Sequence, residues 1–171
     1  MFRFFILSML LFLFACSDDS GTGPGNNGIP DLGNFSVDID GTKWNATFGF
    51  VSASVSSNGT NSTLVVTASK TISTSQAQAM SIVVSAPAGN PSDLEGSYNF
   101  DATNLAAMSF VTTNNQNTVT YISIDGQLSI SNVTANNVTG AFNAICVNSL
   151  TLQDTIALTN GAFNAAIYSL P

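Results

Sequence analysis

Histidine is absent from this chain of 171 residues, and charge of either sign is scarce: Lys and Arg number three, Asp and Glu ten, 8 % of the sequence together. Without histidine there is no imidazole to act as base for a serine or cysteine nucleophile, and none to ligate a metal. With a net charge of −7, the chain has no basic surface to neutralise phosphates, so nucleic acid is not expected as a partner. Cysteine occurs twice, as Cys16 and Cys146, which is too few for a disulfide framework or a cysteine zinc site. Nor is any apolar run long enough to span a bilayer as a helix. The longest, Phe4 to Phe14, falls well short of the roughly 20 residues needed.

That short run has another use. Met1-Phe2-Arg3 is a small positive segment, Phe4 to Phe14 has the length of a signal-peptide core, and polar residues follow at once. The junction Leu13-Phe14-Ala15-Cys16 resembles the lipobox of bacterial lipoproteins, with leucine three positions before the cysteine and a small residue directly before it. A thiol is a good nucleophile for accepting a diacylglycerol group, and a small neighbour opens the Ala15–Cys16 bond to the processing peptidase. Residues 1–15 are therefore expected to be a signal peptide and Cys16 the lipidated N-terminus. Acyl chains contribute about 0.8 kcal/mol per buried CH₂, so a chain bearing several would stay anchored. The resemblance implies a cell-envelope location at the outer membrane, facing the periplasm or the exterior.

Residues 16–33 read as a linker, because Gly, Pro, Asn and Asp dominate and nothing there can bury apolar area. A flexible segment of this length has a reach of about 20–25 Å. Asp18-Asp19 resembles the acidic export signal that follows the lipidated cysteine in surface lipoproteins of the Bacteroidota; a merely solvated linker would look the same.

From Asn34 the chain changes character. Short runs of Val, Ile, Phe and Thr alternate with polar residues, punctuated by Gly, Asn and Asp. Asp40-Gly41, Asn58-Gly59, Asp125-Gly126 and Asn160-Gly161 are each expected to be tight turns between strands. Gln76–Ala79 tolerates helix but is too short for one, and Met80–Ala86 reads as a buried strand. Residues 34–171 should form a single all-β domain of about ten strands. A mostly antiparallel β-sandwich is the expected architecture and a β-barrel-like closure the alternative. The predicted core includes Phe48, Val65, Val83, Tyr98, Ile122, Leu128, Phe142, Ile156 and Phe163.

The stretch Asp40-Gly41-x-x-Trp44-x-Ala46 opens this domain, Gly96-Ser97-Tyr98-Asn99-Phe100 follows mid-chain, and Thr159-Asn160-Gly161-Ala162-Phe163 stands near the end. In this order the motifs resemble a family of uncharacterised Bacteroidota lipoproteins with a domain of unknown function. The resemblance implies an exported β domain and transfers no catalytic residue.

Candidate chemistry is thin. Trp44, the sole tryptophan, could stack on a sugar ring, but it shares a strand face with Ala46 and Phe48, which favours packing. Asp93 and Glu95, with Asp101 nearby, are the acidic residues one would enlist for polysaccharide hydrolysis; two carboxylates must then face each other across a cleft. Asp38-Ile39-Asp40-Gly41 lacks the further ligands of a calcium loop. Lys70 has Thr67 where a Ser-x-x-Lys dyad requires serine. Cys146 lies on an apolar strand face and reads as an inert thiol. Thr155, within Asp154-Thr155-Ile156, resembles an O-glycosylation tripeptide of Bacteroidota. No metal, cofactor or catalytic set is expected. The reading is a non-catalytic binding or envelope structural module held to the membrane by lipid, with an unidentified protein or glycan ligand. A carboxylate-dependent hydrolase and a self-associating adhesin subunit are the alternatives.

Overall fold

The computed structural model describes residues 33–47, 51–87, 90–101 and 105–167. The signal peptide, Cys16, Asp18, Asp19, the linker up to residue 32 and Phe48 lie outside the described residues. Ten strands are present: β1 (Asn34–Ile39), β2 (Thr42–Asn45), β3 (Val51–Ser57), β4 (Ser62–Ser73), β5 (Gln76–Ala86), β6 (Gly96–Asn99), β7 (Ala106–Asn114), β8 (Asn117–Val133), β9 (Asn137–Asn148) and β10 (Thr155–Ile167). One 3-10 turn, Pro91–Leu94, precedes β6.

The all-β, mostly antiparallel class is as expected, and the architecture is the barrel-like alternative rather than the open sandwich. Seven strands, β10-β3-β4-β5-β7-β8-β9, close on one another as a barrel. The hairpin β1–β2 extends outward from β10, and β6 from β8. Closure is possible because two strands are long enough to serve two neighbours along one edge. The 17 residues of β8 pair with β7 and then β6 on that edge, and with β9 on the other. Likewise β10 pairs with β1 and then β3, again opposite β9.

Those two strands correct the turn assignments. Asp40-Gly41 and Asn58-Gly59 do turn the chain, Asp40 and Gly41 both at positive φ (49° and 79°) as a two-residue hairpin requires. Asp125-Gly126 and Asn160-Gly161 instead sit inside continuous strands, where the register shifts beside each of them. They are bulges, and a bulge bends and twists its strand. Both face β9, Gly126 opposite Ala144 and Gly161 opposite Phe142. Gln76–Ala79 is likewise part of strand β5, because its ladders to β4 and β7 satisfy a backbone that four residues of helix could not.

Alternation fills the interior. Leu64, Val66 and Ala68 of β4 and Met80, Ile82 and Val84 of β5 are buried, as are Val138, Phe142, Ala144 and Cys146 of β9. Phe35 gathers an aromatic cluster, edge-on to Trp44 with ring centres 5.9 Å apart and against Phe142 and Phe163 at 5.4 and 6.1 Å. Leu94, wholly buried, joins this core from the 3-10 turn. Of the predicted core, Leu128, Phe142 and Phe163 are buried, while Tyr98 and Ile156 are half-buried against it. Val65, Val83 and Ile122 point outward: Leu64 with Val66, and Ile82 with Val84, take the inner positions, and Ile122 is 38 % exposed.

The seam between β10 and β3 is narrow. Only Ala166–Ser52 and Ile167–Ala53 pair, in parallel. Towards the other end of the barrel, Thr47 past β2 closes it instead. Its N–H donates to the Ser69 carbonyl (2.9 Å), and its hydroxyl accepts from the Thr71 N–H (3.3 Å).

A methyl group separates bulge glycines from ordinary turn glycines. At Gly126 (φ +124°) an added Cβ would sit 2.3 Å from the Asn143 carbonyl oxygen, whereas at Gly59 (φ +85°) nothing lies within 4 Å. Gly126→Ala should therefore cost about 2–4 kcal/mol and Gly59→Ala about 1–2 kcal/mol in urea unfolding. Equal costs would contradict the bulge geometry.

Candidate functional site

Among the residues nominated by sequence, Trp44 is the clearest correction. It belongs to the core, 3 % exposed, with its indole N–H donating to Gln78 Oε1 at 2.8 Å. A ring sealed on both faces offers no platform to a sugar. It is buried because β2, paired to β1, directs it inward beside Phe35.

Asp93 and Glu95 are solvent-exposed and already engaged locally. The Asp93 carboxylate accepts from the Asn90 N–H at 2.9 Å and caps the 3-10 turn. Glu95 Oε1 accepts from the Val133 N–H at 2.9 Å, tying the start of β6 to the end of β8. Asp101 lies past the far end of β6, whose four residues span about 13 Å. The three acids are thus spread along one strand rather than set around a cleft. Thr155 is exposed at the start of β10, and its neighbour Asp154 accepts at its backbone oxygen from Asn148 N–H. Among the described residues no three acidic or cysteine side chains gather in a metal-binding group.

The structure brings together a different set. A shallow cleft of about 300 Å³ lies over β9, lined by Gln127 and Ser129 of β8, Ala141, Phe142 and Asn143 of β9, and Asn160 and Gly161 of β10. Both bulges border this region, since the register brings Gly126 and Gly161 against opposite edges of β9. Asn160, at φ 53°, is held by donating from its side-chain nitrogen to Asp38 Oδ2 at 2.8 Å. Three carboxamides and one hydroxyl make a neutral wall of donors and acceptors. Such a wall can hydrogen-bond a polar, uncharged ligand. It holds no nucleophile–base pair and no pair of carboxylates.

Comparison with family models, with curated proteins and with solved structures gives no match.

Sequence reading missed this cleft because its residues come from three strands and owe their meeting to two bulges. The available signal was Asp125-Gly126 and Asn160-Gly161, each standing between runs of similar alternation.

Cys146 is wholly buried, and burial pushes its thiol up from near 9 to about 12. Between those values the unfolded thiol ionises while the folded one stays neutral. This group's contribution is therefore present in full below pH 9 and lost as pH rises towards 12, at roughly 1.4 kcal/mol per unit. Denaturation across that range should show a shallower decline for Cys146→Ala than for the native chain. Parallel curves would contradict the buried thiol.

Proposed function

We propose that the chain is an exported lipoprotein, anchored through Cys16, whose barrel is a non-catalytic binding or envelope structural module. The observation that carries the anchoring is Leu13-Phe14-Ala15-Cys16 at the end of a short apolar run. Support for the binding role comes from the neutral carboxamide cleft over β9, which suits a polar uncharged ligand such as a glycan. The barrel alternates apolar inside and polar outside, the reverse of a lipid-facing barrel, so the acyl chains rather than the strands would hold the protein at the membrane. Among the described residues no helix is long and apolar enough to cross a membrane. The resemblance to Bacteroidota lipoproteins points the same way, towards an outer-membrane attachment.

Expression of the native chain and Cys16→Ser in a bacterial host, with labelled fatty acid, tests the anchor. The native chain should carry label and sediment with membranes, and the variant should lose both. Label on the variant, or a native chain without label, would sink the lipoprotein reading.

A further inference from the structure

The outer surface of the barrel is mostly hydroxyl and carboxamide side chains, with one exception. The register aligns Val65 with Val83 and Val83 with Ala107. All three point outward, because Leu64, Val66, Ile82, Val84, Ala106 and Met108 fill the interior. The row continues onto β8 and β9, where Ile124 stands at the bulge beside Ile145. Ile124 is 49 % exposed and Ile145 43 %, and Leu105, leading into β7, is 51 % exposed. An apolar band therefore crosses five adjacent strands, about 19 Å at the usual strand spacing. Sequence says the same thing in another way. Leu64-Val65-Val66 and Ile82-Val83-Val84 are continuous aliphatic runs, the pattern of strands covered on both faces, yet the barrel core covers only one.

We propose that this band is the interface of a symmetric, side-by-side pair of two copies of this chain. Three features select a second copy as the occupant. The first is area. A band on the order of 500 Å² is at the upper end of what a monomer carries, and with its polar margins it approaches the roughly 800 Å² per partner that a stable pair buries. The second is charge. Each copy carries −7, and within this band no charged side chain appears until Asp125 at its edge, so like copies can meet here without repulsion. The third is self-complementarity. Hydroxyl rows flank the band on both sides, Thr67–Ser81–Ser109 on one and Thr63–Ser85 on the other. A two-fold axis through the band lays apolar on apolar and hydroxyl on hydroxyl. With that axis along the barrel, both N-terminal segments leave from the same end, so one membrane can hold both copies. The pairing itself does not rest on the anchor.

The test uses the full chain in a nonionic detergent, with light scattering that separates protein mass from micelle mass. The native chain should give the mass of two chains at micromolar concentration. The double variant Ile124→Lys, Ile145→Lys should give one, with at least about a tenfold loss in association. Because both positions are exposed, its circular dichroism and melting temperature should match the native chain. Gln127→Lys with Asn143→Lys, on the same strands outside the band, should remain paired. A native chain of single mass overturns the proposal. So does a double variant that stays paired, as association through another face would give. A third contrary result is a single-mass native chain whose binding to phosphatidylcholine vesicles weakens in the double variant, since the band would then meet lipid.

Discussion

A sheet closes into a barrel only if its strands bend, and this chain bends two of them at glycine. β8 and β10 flank β9, and each breaks register once along it. Side chains at Gly126 and Gly161 would strike the Asn143 backbone and the Phe142 ring, at 2.3 and 2.6 Å. Missing Cβ atoms therefore let the three strands lie close enough to pair on both sides of the bulges. From that contact follow the long strands, their double service to neighbours, and the inward placement of Phe142 and Phe163 against Phe35.

The same constraint shapes the surface. Where the bulges border β9, the outward residues are carboxamides and a hydroxyl around a shallow cleft. On the opposite stretch of the barrel the outward residues of β4, β5, β7 and β8 include a row of aliphatics. One face is suited to a polar ligand and the other to an apolar partner. Neither contains titratable groups in a catalytic arrangement. The carboxylates of Asp93 and Glu95 hold the turn and the strand that tie β6 to β8.

The class of the fold was legible in the sequence because a period of two and frequent Gly, Asn and Asp are strong local signals. Closure was not, since it depends on β10 reaching both β1 and β3 along one edge, a contact between residues more than a hundred positions apart. Asp-Gly and Asn-Gly were ambiguous for a related reason. The dipeptide supplies a positive φ whether the chain reverses, as at Asp40-Gly41, or merely bulges, as at Asn160-Gly161, and only the neighbouring strand decides. Val65, Val83 and Ile122 were assigned to the core because strands with aliphatics on both faces carry no phase. Trp44 fell correctly on the packing side because Ala46 follows it in alternation. The cleft over β9 was invisible because its residues come from three strands.

Native-state hydrogen exchange tests the central claim most directly, namely that β9, gripped between two bulged strands, is the rigid spine of the barrel. The amides of Phe142, Ala144 and Cys146 should exchange only through global unfolding, while those of β3, at the two-residue seam, exchange through smaller openings. Protection of β3 equal to or above that of β9 would contradict this account.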